Sequence, residues 1–182
     1  MLVEAEKIHN PEKAPPAHQE LDYPAKLEVE RIAMRAVVQR VLQSRVEVNG
    51  QTVGQIDKGL LVYLSVGKRD NAGDAEFMAE KLVNLRIFAD DGGKMNRSVL
   101  DVGGAILLVS NFTLHGDCRK GRRPSFDGAA EPGLAEELYE KVGELIARQG
   151  AAVEKGAFGE HMRISSINDG PVTFLLDSEE SA

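Results

Sequence analysis

Hydrophobic and polar positions change period several times along the chain, and each change marks an element. Residues 34–56, "MRAVVQRVLQSRVEVNGQTVGQI", mix apolar and polar positions at strand-like spacing and contain Asn49-Gly50, a strong hairpin-turn signal. "GLLVYLSVG" at 59–67 is continuously apolar with β-branched and aromatic members, the pattern of a buried strand. Met78, Leu82 and Leu85 fall at helical spacing, so 74–85 is expected to be an amphipathic helix, after which "RIF" resumes strand character. Residues 90–98, "DDGGKMNRS", read as a polar loop, and "GAILLVSNFTL" at 104–114 as a second buried strand. Pro132 is well placed to open a helix whose face is striped by Leu134, Leu138, Val142 and Leu145 and which Gly150 can close. Strands near 151–155 and 162–176 complete the pattern.

These elements predict an α/β fold: a mixed or antiparallel, barrel-like sheet with two main helices, in one compact domain spanning 34–182. No internal repeat is visible. Residues 1–33 differ from the rest. They hold four of the seven prolines, seven acidic and four basic residues, and no apolar periodicity. They are read as an N-terminal extension, flexible in character, with Met34 as the natural start of the patterned region.

Composition narrows the function classes. With 182 residues, of which 42% are hydrophobic, the chain can bury a core and is not a disordered protein. No apolar run reaches the length of a membrane span, Glu4 and Glu6 stand where a secretory signal would be basic or apolar, and the single cysteine, Cys118, cannot form an internal disulfide. The expectation is a soluble, cytoplasmic protein with no membrane partner. A net charge of -7 argues against broad, non-specific nucleic-acid binding. Within that acidic chain, "CRKGRR" places Arg119, Lys120, Arg122 and Arg123 together, either as a solvated basic loop or as a site for phosphate.

Candidate chemistry is sparse. There is no P-loop, no GxGxxG, no CxxC and no HExxH. "HGDC" brings His115 near Cys118, a weak hint of a nucleophile and base, and a metal site from His115, Cys118 and His161 is conceivable; the plainer reading is two loop-edge histidines and an inert thiol. "SNFTL" at 110–114 puts the hydroxyls of Ser110 and Thr113 where an apolar strand meets a loop, with no base beside either in sequence. Backbone N–H groups around Phe112 could instead stabilise an oxyanion. "NDGPVT" at 168–173 interrupts a strand with turn chemistry and a proline, so it is either a hairpin turn or a rigid loop that presents backbone groups to a ligand.

Taken in order, "SNFTL", "GRRPSF" at 121–126 and "NDGPVT", supported by "MRAVVQRV" at 34–41 and "GAFGEHM" at 156–162, resemble the D-aminoacyl-tRNA deacylase family, also called D-tyrosyl-tRNA deacylases. The likeness covers about 34–178. It implies a homodimer that hydrolyses the ester between a D-amino acid and the 3′ end of tRNA and spares L-aminoacyl-tRNA. It also implies that Gly170-Pro171, joined by a cis bond, reaches into the partner subunit's site as a chirality gate whose carbonyl oxygens exclude an L side chain. By the same resemblance Arg40 braces that loop, with Asn168 beside it. Ser110, Phe112 and Thr113 line the pocket, with the Phe112 N–H near the scissile carbonyl. Met95 would lie near the terminal adenosine and Met162 near the pocket. Hydrolysis would be substrate-assisted, the adenosine 2′-hydroxyl helping to activate water, and no metal or organic cofactor is implied. Arg119, Lys120, Arg122 and Arg123 could meet nearby phosphates.

The family's first motif usually carries glutamine where this chain has Asn111, one methylene shorter. Two other readings therefore stand beside the deacylase. One is a dimer that binds aminoacyl-tRNA or another RNA end without turnover. The other is a conventional Ser, Thr or Cys hydrolase acting on a small ester. Glycyl-tRNA, which has no side chain to exclude, is a further possible substrate.

Overall fold

The computed structural model describes residues 33–178, so the expected extension at 1–33 lies outside the described residues apart from Ala33. The described chain runs β1 (Arg35–Val48), β2 (Gln51–Ile56), β3 (Gly59–Ser65), α1 (Ala72–Asn84), β4 (Phe88–Ala89), β5 (Met95–Arg97), β6 (Ala105–Ser110), a 3-10 turn (Phe112–His115), α2 (Pro132–Arg148), β7 (Ala152–Lys155) and β8 (Arg163–Asp177). Six strands form one mixed sheet in the order β2-β1-β3-β6-β7, with β8 paired to β1. The expected α/β class with two main helices holds.

β1 organises the sheet because it is long enough to serve three partners. Its residues 35–41 pair antiparallel with β3 and 44–48 with β2, while β8 follows almost its whole length on the other edge. Asn49 and Gly50 take φ of 52° and 80°, the paired positive values of the tight hairpin turn that the sequence signals. β3–β6 and β6–β7 are parallel, so each pair needs a crossover, and α1 and α2 supply them. β2 swings round toward β7: a Cβ on Gly54 would stand 2.4 Å from the Lys155 carbonyl oxygen. The sheet thereby curls almost into a barrel.

Strand alternation divides the core into two. Leu60, Val62 and Leu64 of β3 and Ile106 and Leu108 of β6 face α1 and α2, where they meet Met78, Leu82, Leu138, Tyr139, Val142 and Ile146. Leu61 and Leu107, Val109, Val41, Val46 and Ile56 fill the barrel side, edged by Tyr63 and Met162. Leu82 is fully buried, and its truncation to alanine costs about 2–5 kcal/mol. α1 starts slightly earlier than its apolar spacing suggests, because Asn71 caps it and Asp74 returns a bond to the Asn71 N–H. α2 begins at Pro132 as expected; its buried face centres on Leu138, Tyr139, Val142 and Ile146, with Leu134 and Leu145 at the margin.

Two expectations need correction. Residues 90–98 are not all loop: Met95–Arg97 pairs with Phe88–Ala89 in a two-stranded ribbon, its turn organised by Asp90, whose carboxylate accepts from the N–H groups of Gly92 and Lys94. The 168–173 segment is not a hairpin turn but a rigid bulge within one strand. β8 pairs with β1 on both sides of it, Asn168 with Val41 and Thr173 with Gln39, so residues 169, 170, 171 and 172 bulge out opposite Arg40 alone.

Candidate active site

The parallel strands β3 and β6 end side by side, and a cleft of about 830 Å³ opens there. In open α/β sheets, ligands bind outside the carboxyl ends of parallel strands. Leu64, Ser65 and Val66 leave β3 into its wall, and Val109 and Ser110 leave β6. Phe112, Thr113, Phe126, Phe158 and Met162 add to the lining. The volume suits a ligand of nucleoside or amino-acid size.

The 3-10 turn after β6 shapes the cleft floor. Asn111 pins its start by donating its N–H to the Leu64 carbonyl at 2.8 Å, which locks the turn to β3. The Asn111 side chain caps the turn: Oδ1 accepts from the Thr113 N–H at 3.2 Å and from the Thr113 hydroxyl at 2.6 Å. The shorter amide therefore works inside the turn. Phe112 occupies the first position, whose N–H has no acceptor within a helical turn. Its ring is 59% exposed and meets Phe126 edge-to-face at 5.0 Å. The Thr113 hydroxyl donates to an amide oxygen, which is no base, so nothing in this geometry activates it as a nucleophile.

Beyond the turn, residues 117–125 form a small hairpin closed by paired backbone bonds between Asp117 and Ser125, 2.7 and 2.9 Å. The exposed side chains of Lys120, Arg122 and Arg123 stand on it, at the edge of the cleft that Phe126 enters. Arg119 differs: it forks onto Asp117 at 2.8 and 3.0 Å, and those bonds hold the Asp117 carboxyl down at about 2.

His115 is not the loop-edge residue expected. It is 3% exposed, with Nδ1 2.5 Å from the Ser65 hydroxyl and Nε2 3.1 Å from the Ala33 carbonyl oxygen. Both ring nitrogens are occupied, so it cannot serve Cys118, which is exposed. Among the described residues no cluster of His, Cys, Asp and Glu is placed to hold a metal, and the grouping of His115, Cys118 and His161 does not form.

Ser110, Asn111, Phe112, Thr113 and Met162 thus come together in the cleft, but Gly170, Pro171, Asn168, Arg40 and Met95 are not among its lining. Arg40 donates from Nε to the Asp169 carbonyl at 3.0 Å, pairs with the Asp169 carboxylate at 2.9 Å, and donates from Nη1 to the Ile87 carbonyl. Asn168 Nδ2 donates to the carbonyls of Arg40 and Val172 at 2.9 and 3.1 Å. The Gly170-Pro171 bond is cis and both residues are exposed. A Cβ on Gly170 would lie 2.2 Å from Asn168 Oδ1 and 2.6 Å from the Val172 nitrogen, so any larger residue would force the bulge to shift. Met95 is 48% exposed on β5.

Phe126, Phe158, Tyr139 and Ser65 escaped the sequence reading as site residues. Ser65 lies hidden in an apolar strand, and Tyr139 sits on the core stripe of α2, where its hydroxyl donates to the Leu108 carbonyl at 2.8 Å and burial raises its pKa. Only the aromatics inside "GRRPSF" and "GAFGEHM" carried a usable signal.

Comparison with known proteins agrees over nearly the whole described region. Residues 37–177 match the family model described as D-Tyr-tRNA(Tyr) deacylase. A D-aminoacyl-tRNA deacylase of Fervidobacterium nodosum is 58% identical over 147 residues, 81% of this chain and 99% of that protein. The enzyme of the same name from Thermosipho africanus is 56% identical over the same shares. Among solved structures, the c-Myc DNA Unwinding Element Binding Protein is similar with a TM-score of 0.75 at 37% identity, over 79% of this chain and 97% of that one.

Proposed function

Since the chain belongs to the D-Tyr-tRNA(Tyr) deacylase family, we propose that it hydrolyses the ester joining a D-amino acid to the 3′ end of tRNA. The observation that carries the mechanism is the Thr113 hydroxyl donating to Asn111 Oδ1. With that hydroxyl bound to an amide oxygen, the nucleophile is water. As the water oxygen bonds to the carbonyl carbon, the 2′-hydroxyl of the terminal adenosine, next to the scissile ester, takes the water proton and passes its own toward the 3′-oxygen. Negative charge gathers on the carbonyl oxygen, where the Phe112 N–H donates. The 3′-oxygen leaves with a proton, and the free D-amino acid and tRNA separate.

The chirality gate is assigned to Gly170-Pro171 of a second copy. Three features support this. The bulge lines no part of its own cleft. Among the described residues its strand, β8, pairs only with β1. Near it in sequence or across the β1–β8 ladder, Leu42, Ile167, Phe174 and the 80% exposed Leu175 are large apolar side chains left exposed, which suits a contact with another copy. Held by Arg40 and Asn168, the bulge presents backbone carbonyls with no mobile side chain between them and the substrate. Glycyl-tRNA passes the same gate because it has no side chain to reject. Met95 is assigned to the terminal adenosine, and Lys120, Arg122 and Arg123 to phosphates near the tRNA end.

Side-by-side deacylation of D-tyrosyl-tRNA and L-tyrosyl-tRNA tests the proposal. The expected result is cleavage of the D form alone, abolished when the terminal adenosine lacks its 2′-hydroxyl. Binding without cleavage of either would replace it with the binding-only dimer. Cleavage of both would remove the gate.

A further inference from the structure

His115 and Ser65 stand outside the chemistry just described, yet they sit directly behind it. The turn that carries the Phe112 and Thr113 N–H groups is tied to β3 at both ends: Asn111 to the Leu64 carbonyl at its start, His115 to the Ser65 hydroxyl at its finish. His115 also ties the turn to Ala33, at the root of β1. The polarity of these bonds follows from their partners. A carbonyl oxygen only accepts, so Nε2 carries the ring proton; in the neutral ring Nδ1 then accepts, and the Ser65 hydroxyl donates. The arrangement is complete only with an uncharged imidazole. A second ring proton would make Nδ1 a donor, force Ser65 to accept, turn its hydroxyl proton outward, and place a charge among groups that are 2–3% exposed.

We propose that Ser65 and His115 are a positioning pair for the hydrolysis proposed above: neutral His115 clamps the Phe112–Thr113 turn to β3 and β1, and protonating it loosens the turn. The charges acting on the ring are Arg35 of β1, which opposes protonation, and Asp177 of β8, which favours it; these two pair with each other at 2.9 Å, and β3 contributes only the neutral Ser65. Burial is the larger influence and moves the imidazole below its ordinary 6.5. Protons therefore bind the unfolded chain more readily. The stability from neutral His115 is full above the unfolded pKa and declines as pH falls through it toward the folded value.

The test combines kinetics with imidazole and amide NMR on the full chain, from about pH 5 to about pH 7.5, where histidine titrates. His115 resonances are assigned by their loss in His115→Gln, whose amide can still donate to Ala33. The expected result is an acid limb in kcat that coincides with the His115 titration, with KM nearly unchanged. In His115→Gln, kcat is several-fold lower near neutral pH and that limb is gone, whereas Ser65→Ala lowers kcat and keeps a limb. The Phe112 and Thr113 amide shifts should follow the His115 titration in the wild type. An unchanged limb in His115→Gln overturns the proposal. So do amide shifts that ignore the ring. The amide readout decides even for a protein that binds aminoacyl-tRNA without cleaving it, so failure of the clamp and failure of the deacylase reading remain distinguishable.

Discussion

The turn at 112–115 is secured from behind by Leu64, Ser65 and Ala33 and capped by Asn111, while the bulge at 169–172 exposes Gly170 and Pro171, buries Val172 in the core and is held chiefly by Arg40 and Asn168. The turn is anchored in the fold that forms it, and its polar groups are matched over short distances. The bulge is shaped just as closely but lies outside the lining of its own cleft. Its exposed Gly170-Pro171 backbone, outside the lining of that cleft, supports the assignment of the bulge to a second copy. The proposed function accordingly divides between a turn that the domain anchors itself and a bulge assigned to a second copy.

Gly170→Ala probes the bulge most severely. The added methyl would meet Asn168 Oδ1 at 2.2 Å and the Val172 nitrogen at 2.6 Å, so the segment must shift. A displacement of one ångström at a positioning element can lower rate by about 10²-fold, and that is the expected loss in kcat/KM for D-tyrosyl-tRNA. The D-to-L preference should shrink with it. Gly170 and Pro171 are exposed, but Val172 beside them is buried in the core, so the unfolding midpoint should fall as well, and rates are compared where both proteins are folded. A variant with wild-type rate and selectivity would falsify the gate.

The same division explains what could be read from the sequence. The helices and the first hairpin were legible because their signals are local: Asn49-Gly50 for the turn, Pro132 for a helix start, apolar spacing around Met78 and Leu138. The ribbon at Met95–Arg97 was not, since its pairing with Phe88–Ala89 draws on no apolar run. Residues 110–113 and Met162 line one cleft, but motif spacing says nothing about what lies behind a turn. His115 looked like a loop residue because the carbonyl that binds it comes from Ala33, 82 positions earlier. The bulge misled in the opposite direction. Asn-Asp-Gly-Pro is turn chemistry, and only the resumption of pairing between Thr173 and Gln39 shows that the strand continues.

Thr113→Val tests the turn more gently. Valine keeps the shape and removes the hydroxyl, together with its 2.6 Å bond to Asn111. If water is the nucleophile, the loss is that of one hydrogen bond, about 0.5–1.5 kcal/mol, or roughly tenfold or less in kcat. A threonine nucleophile predicts no turnover at all. Single-turnover deacylation separates the two, and a complete loss with the fold intact would favour the conventional hydrolase over substrate assistance.

The smallest effect belongs to the basic hairpin, where the comparison can be drawn between neighbouring arginines. Arg119 is committed to Asp117 through both arms of its fork, and that pairing keeps the Asp117 carboxyl ionised far below neutral pH. Arg122 and Arg123 are exposed on the same hairpin. If those two meet phosphates near the single-stranded tRNA end, each contributes about 0.7 to the slope of log affinity against log salt. The Arg122→Ala, Arg123→Ala double variant should therefore bind tRNA with a slope shallower by about 1.4 and weaken KM while leaving kcat nearly unchanged. Arg119→Ala should change the slope less, because its charge is already neutralised by a neighbour, and should loosen the hairpin instead. Equal slopes for the double variant and the wild type would mean that the hairpin is a solvated basic loop, and that the tRNA end is held by the cleft and the second copy without it.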